Sequence, residues 1–226
     1  VDYAPNLLEM AAETYKDMKD IYLIAANAYR LPFRDEIFSA GVSIRVFHHM
    51  NLPQKFLEEC ARTFHAGGNM LMEYSNKRNL WRIFKPGVKP FEKNHEEYAE
   101  LQYGTHPDFF AQITRTADFT ALRTLGTGFF PRFVSERTKA IPPVLAFLEK
   151  IFDHTFGRIQ LAPMNFSLLT KEASSAAIKA QKIGTLQDIL QCPACHGALA
   201  DATKDMNCLS CKKIFPKLGR IIDFRC

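Results

Sequence analysis

Four of the six cysteines stand as Cys192-Pro-Ala-Cys195 and Cys208-Leu-Ser-Cys211, two C-x-x-C knuckles with twelve residues between them. A C-x-x-C turn can bring two thiolates to one ion, so two facing turns supply a tetrahedral set with metal–sulfur distances of about 2.3 Å. The segment between the knuckles is long enough to run out and back as a hairpin, presenting the second knuckle opposite the first. A closed four-thiolate shell leaves no position for water, so the spacing points to structural zinc. The competing readings are a redox dithiol, which needs one C-x-x-C beside a βαβ pattern, and an iron–sulfur cluster; two knuckles on a small module fit zinc better. His196, next to Cys195, reads as a surface or supporting residue and not as a fifth ligand. Cys60 and Cys226 read as ordinary small apolar side chains.

The elements that must position this chemistry belong to an ordinary globular chain. It has 226 residues, 47% hydrophobic and 23% charged, which argues against disordered, collagenous and disulfide-stapled classes. The longest stretches without Asp, Glu, Lys or Arg, Ile159–Thr170 and Ile189–Ala200, are 12 residues each, against roughly 18 for a membrane-spanning helix. A formal charge of +5 permits a polyanionic partner without requiring one. Val1-Asp2-Tyr3-Ala4-Pro5 lacks the basic and apolar regions of a secretory signal. A thiolate cluster and a free Cys60 fit a reducing, cytoplasmic compartment.

Apolar spacing predicts a helix from Pro5 to Lys19, a strand over Ile21–Ala26, a turn around Leu31-Pro32-Phe33, a strand over Ala40–Phe47 and a helix over Pro53–His65. Gly67-Gly68 reads as the stop of that second helix, with a third strand over Asn69–Ser75. Both early strands read as buried on both faces. Asn76–Tyr103 reads as irregular. Helix is expected over Pro107–Phe119 and Ile141–Phe156, and strand over Thr120–Gly128 and Ile159–Thr170, the last two closing the sheet antiparallel. Alternating strands and helices imply an α/β class with a doubly wound, mostly parallel sheet. The expected domains are 1–171, a polar linker over 172–185, and a module over 186–226 that needs a metal because 41 residues make a small core.

In an open α/β sheet, ligands bind beyond the carboxyl ends of the strands. The residues to read there are Asp2-Tyr3, Asn27-Ala28 and Arg45 to His49. Asp2, ending a strand, is a carboxylate that can accept two hydrogen bonds from a ribose diol. The runs Val1-Asp-Tyr-Ala-Pro-Asn-Leu-Leu-Glu-Met-Ala11, Asn27-Ala-Tyr-Arg-Leu-Pro-Phe33, Val46-Phe-His-His-Met50 and Glu59-Cys-Ala-Arg-Thr-Phe-His-Ala-Gly-Gly68 resemble, in order and spacing, the Rossmann-like S-adenosylmethionine-dependent methyltransferases. The resemblance implies that Asp2 holds the cofactor ribose, with Tyr3 also in the cofactor site, that Asn27 meets the adenine amino edge with Ala28 offering its N–H, and that Ser43 to Arg45 border the methionine part. It also implies a first strand and glycine-rich loop ahead of Val1, so the chain reads as an N-terminally truncated fragment. The family carries an acidic residue where Asn27 stands, and an amide can still accept from an amino group.

Leu186-Gln-Asp-Ile-Leu-Gln-Cys-Pro-Ala-Cys195, Cys208-Leu-Ser-Cys-Lys-Lys-Ile-Phe-Pro216 and Gly219-Arg-Ile-Ile-Asp-Phe224 resemble zinc-ribbon domains attached to methyltransferases, which implies docking of a protein or substrate more than chemistry. Methyl transfer needs chiefly alignment, with a base only where the acceptor loses a proton. His48 or His49 is such a base or, more ordinarily, a loop histidine, and no catalytic residue is assigned. Lys77, Arg78, Arg82, Lys85, Lys89 and Lys93 alternate with Trp81, Phe84 and Phe91, a pattern that can meet phosphates and bases. The acidic Glu92, Glu96, Glu97 and Glu100 favour instead a solvated lid with its aromatics turned inward. The expected function is methyl transfer to a small molecule or RNA; the alternative is a non-catalytic adaptor whose ribbon binds protein or nucleic acid.

Overall fold

Pro5 at the first turn, where its missing N–H costs nothing, opens helix α1 (Pro5–Thr14). The helix ends before the expected Lys19, and beyond its end the Tyr15 and Met18 carbonyls each accept from the Arg220 guanidinium at 2.6 Å. The computed structural model describes residues 1–85, 89–129, 159–172, 185–202 and 205–225, with Val144, Phe147 and 150–153. The chain forms two compact units, Val1–Phe38 with Glu59–His65 and Ser175–Cys226, and Ser39–Glu58 with Ala66–Ser174. These differ from the boundaries read at 171 and 186.

In the first unit, strand β1 (Leu23–Ala25) is buried throughout, as its apolar run predicts. The cysteine module contributes a short helix α5 (Leu186–Ile189) and strands β8 (Leu199–Asp201), β9 (Asp205–Cys208), β10 (Ile214–Leu218) and β11 (Ile221–Asp223). The sheet runs β1-β11-β10-β9-β8. β11 lies parallel to β1, with Leu23 opposite Ile221 and Ile24 opposite Ile222. Because successive side chains in a strand point to opposite faces, each pair joins a different core. Leu23, Ala25 and Ile221 pack with Leu8, Ala11 and Ala12 of α1. Ile24, Ala26 and Ile222 pack with Phe33, Leu190, Met206, Phe215 and Phe224. The cysteine module thus gains from residues 24–38 the apolar surface that its own length does not supply.

In the second unit the sheet order is β2-β3-β7-β6, from β2 (Phe38–Ser43), β3 (Phe64–Ser75), β6 (Phe119–Thr127) and β7 (Met164–Lys171). β7 pairs antiparallel with β3 and β6, as the sequence predicts for the closing strands. The class is α/β, and β1 with β11 forms a parallel pair in an otherwise antiparallel run of β11, β10, β9 and β8. Met70, Met72 and Tyr74 alternate into the core opposite Leu169, Ser167 and Asn165. Helix α4 (Pro107–Thr116), capped by His106, covers this face, with Phe110 stacked on Tyr74 at 4.1 Å.

Four expectations are corrected. β2 ends at Ser43 and exposes Ser39, Ala40 and Val42, so it is not buried on both faces; Phe47–His49 is a 3₁₀ turn. Helix α2 (Pro53–Thr63) passes directly into β3, and Gly67, at φ 78°, lies inside that strand and not at a helix stop. Glycine, with no Cβ, accommodates that left-handed angle within a strand. Asn76–Tyr103 is not irregular throughout: it holds helix α3 (Leu80–Ile83) and strand β4 (His95–Ala99), which pairs with β5 (Gln102–Thr105). Its aromatics do not turn inward, since Trp81, Phe84 and Phe91 are exposed. The inner side of this segment is filled by the polar Asn76, Lys77 and Asn79, all buried. Ile141–Phe156 falls largely outside the described residues, and those described within it are helical. Most of 172–185 also lies outside them.

Candidate functional site

The parallel bridge between Asp2 and Ala25 sets the chain start beside the end of β1. Asp2 N–H donates to the Ile24 carbonyl at 3.1 Å and Ala26 N–H to the Asp2 carbonyl at 3.0 Å. Asp2-Tyr3 and Asn27-Ala28 therefore leave the same end of neighbouring segments, where an α/β sheet binds ligands. The Asp2 carboxylate accepts the Ala4 N–H through Oδ1 at 2.8 Å, and Oδ2 has no hydrogen-bond donor among the described residues. Tyr3 is 64% exposed.

Asn27 makes an Asx turn, its Oδ1 accepting from Tyr29 N–H at 2.9 Å. An adenine amino group would thus be a second donor to that oxygen. Ala28 is half-buried, and its N–H meets no acceptor among the described residues. The following Leu31-Pro32-Phe33 turn is fixed by Glu59, which accepts Leu31 N–H at 2.7 Å, and by Arg62, which donates to the Phe33 carbonyl at 2.6 Å.

Ser43 and Arg45 belong to the second unit. The Ser43 hydroxyl is buried with no hydrogen-bond partner among the described residues, an arrangement that suits a bound polar group. Arg45 takes a left-handed φ of 59° and donates its N–H to the buried Glu73 carboxylate at 2.6 Å. Behind them Phe47, fully buried, packs against Phe110 at 5.4 Å and Phe56 at 6.1 Å. His48 and His49 rings lie 4.1 Å apart. Burial, then the neighbouring His49 and Arg45, lower the His48 pKa and keep its ring neutral near pH 7. His49 Nδ1 sits 2.8 Å from the Leu101 carbonyl on the β4–β5 hairpin. Sequence reasoning missed this hairpin and with it His95, whose nitrogens lie 2.8 Å from Thr105 Oγ1 and 2.7 Å from the Met50 carbonyl. Alternation of His95, Glu97 and Ala99 with their neighbours was the available signal, obscured by charge.

The cation-rich segment is largely spent on internal pairs. Buried Lys77 meets Glu96 at 2.7 Å, Lys89 meets Glu92 at 2.9 Å, Lys93 meets Asp108 at 2.8 Å, and Arg82 lies 4.0 Å over the Tyr98 ring.

The four knuckle sulfurs, Cys192, Cys195, Cys208 and Cys211, lie within 4.8 Å of one another. Each knuckle is built the same way. His196 N–H donates to the Cys192 carbonyl at 2.8 Å and Lys212 N–H to the Cys208 carbonyl at 3.1 Å. His196 and Lys212, each following a second cysteine, share left-handed φ values of 58° and 62°. His196 Nδ1 lies 2.8 Å from Gln191 Nε2, a supporting contact as expected. β8 and β9 form the out-and-back hairpin between the knuckles. The donor set and its spacing suit one tetrahedral ion.

Residues 1–72 match the methyltransferase domain family. The chain is similar to a demethylmenaquinone methyltransferase of Staphylococcus haemolyticus (strain JCSC1435), 28% identical over 143 residues, covering 54% of this chain and 58% of that one. A second, from Staphylococcus saprophyticus subsp. saprophyticus, is 30% identical over 121 residues, covering 46% and 50%. The chain thus spans about half the length of the curated relatives it matches. Among solved structures it is similar to the cyclase SpnF, with a TM-score of 0.52 and 14% identity over 76% of this chain and 65% of that one. A Bacillus halodurans C-125 protein assigned as a methyltransferase gives a TM-score of 0.50 and 15% identity over 76% and 81%. These structural likenesses show the methyltransferase fold alone; a cyclase among them shows that the fold does not dictate the reaction. Among the described residues no helix is long and apolar enough to cross a membrane.

Proposed function

We propose that the chain carries the cofactor-handling part of an S-adenosylmethionine-dependent methyltransferase acting on a small-molecule acceptor, and that its cysteine module holds one structural zinc ion. The observation that carries the reading is the Asp2–Ala25 bridge, which sets Asp2-Tyr3 beside Asn27-Ala28 at one end of parallel segments, within the residues that match the family. Bound S-adenosylmethionine supplies an electrophilic methyl group on a sulfonium. This chain's residues bind and orient: Asp2 Oδ2 would accept from ribose, and Ala28 N–H and the Asn27 side chain would meet the adenine edge. His48, neutral near pH 7, is the candidate base where a hydroxyl acceptor must lose its proton.

A small-molecule acceptor is favoured over RNA because both curated relatives are named for a quinone precursor and Lys77, Lys89 and Lys93 already pair with carboxylates. The test is calorimetric titration of S-adenosylhomocysteine into this chain and into the same chain carrying any coding sequence found upstream of Val1. Binding by either form supports the reading. Silence from both, with zinc present and the fold intact, favours the adaptor.

A further inference from the structure

The sequence reading gives the cysteine module a docking role, yet its last residues meet the cofactor side of the molecule. β11 fixes the end of β1 from which Asn27 departs: Asp223 lies opposite Ala25, and Phe224 N–H donates to the Ala25 carbonyl at 2.7 Å. One residue later Arg225 reaches the other segment of the same site. Its Nη1 lies 3.4 Å from the Tyr3 carbonyl, and its guanidinium stands over the Tyr3 ring, 5.7 Å from the centroid. The guanidinium is held in place by a two-pronged pair with Asp223, Nε to Oδ1 at 2.8 Å and Nη2 to Oδ2 at 2.5 Å. Asp223 is mostly buried and Arg225 partly so, which favours a fixed fork over a mobile surface ion.

We infer that Arg225 is a positioning residue for the adenosine end of the cofactor, so that the cysteine module acts in cis on cofactor affinity. The inference rests on the methyltransferase reading. Tyr3, an exposed ring next to the Asp2 carboxylate, presents a face on which a purine can stack. An unsupported exposed ring would have to be ordered when the ligand binds, and that ordering would weaken affinity. Arg225 holds both the ring and the backbone of Tyr3 before the ligand arrives. Asp223 and Phe224 do the same for the backbone that leads into Asn27 and Ala28. The module that resembles a docking ribbon therefore preorganises two segments of one candidate site.

The experiment compares the wild-type chain, in whichever form binds S-adenosylhomocysteine, with Arg225→Ala and Arg225→Lys. Calorimetry with S-adenosylhomocysteine and with 5′-methylthioadenosine is run beside zinc content and thermal midpoint. The expected result is an equal loss for both ligands in Arg225→Ala, about fivefold, from the lost cation–π and carbonyl contacts. Zinc content and midpoint should stay near wild type, and Arg225→Lys should recover part of the loss. Unchanged affinity in Arg225→Ala overturns the inference. A loss of affinity that tracks a loss of zinc or a lowered midpoint overturns it also, leaving Arg225 a folding role. A wild-type chain that binds neither ligand overturns the methyltransferase reading itself.

Discussion

Ile24 of the first strand and Ile222 of the last are direct partners in a parallel ladder, and both lie in one buried core. Truncating Ile222 to Ala should cost about 2–5 kcal/mol through lost burial and the cavity left behind. The cost should appear on both sides of the ladder. Hydrogen exchange is the check: amides of residues 23–26 should lose protection together with those of β10 and β11, and a selective loss in the cysteine module alone would contradict a shared core.

One equivalent of zinc per chain is expected, released by Cys192→Ser or by a strong chelator, because each thiolate of a closed shell is needed for tight binding. Cys192 and Cys208 are also core residues beside Ile24 and Phe33. Release should therefore lower the urea midpoint of the unit containing β1. A colorimetric zinc assay on the unfolded protein, read against the urea curve, decides this.

Gly197 lies close against the second knuckle: a Cβ there would lie 2.5 Å from Ser210 Oγ and 2.8 Å from its Cβ. Gly197→Ala should force the two turns apart, at about 1–3 kcal/mol, and weaken metal binding. Adding Ser210→Gly should restore much of the affinity, since it removes both clashing atoms. Metal competition titrations on the single and double variants would show whether the contact is the cause.

Asp2→Asn keeps the oxygen that accepts the Ala4 N–H and removes the charge. It should leave the midpoint nearly unchanged and weaken S-adenosylhomocysteine by about tenfold or more, since hydrogen bonds to a charged group contribute about 1.5–3 kcal/mol. Equal affinity for Asp2→Asn and wild type would remove Asp2 from the site.

Burial lowers the His95 pKa, with the Met50 carbonyl opposing weakly. The unfolded chain then takes up a proton near the ordinary histidine pKa of about 6.5 while the folded chain stays neutral. Stability should be flat above pH 7 and fall as pH drops through 6.5 towards the lowered folded value. His48 and His106 are shifted the same way. Urea midpoints between pH 5 and 8 should show the fall, and His95→Asn should reduce its slope.

The knuckles were legible because their determinant is local: two residues between cysteines fix a turn wherever the chain goes. That Asp2 and Asn27 share one end of neighbouring segments was legible from their places after apolar runs, whereas Ser43 was reached only through the family resemblance. The partnership of β1 with β11 was not, because a parallel pairing across almost the whole chain leaves no short-range pattern. The two-sided burial of Ile221 and Ile222 was its one trace in the sequence. Gly67 misled because a glycine after a helix ordinarily marks its end, and here the helix had already passed into β3 at Phe64.

A ribosome makes β1 long before β11. During synthesis the β11-facing edge of β1 has no native partner until residues 221–223 leave the exit tunnel. The nascent chain must carry that open edge through almost the entire elongation, a window in which chaperone capture or mispairing with another chain competes with folding.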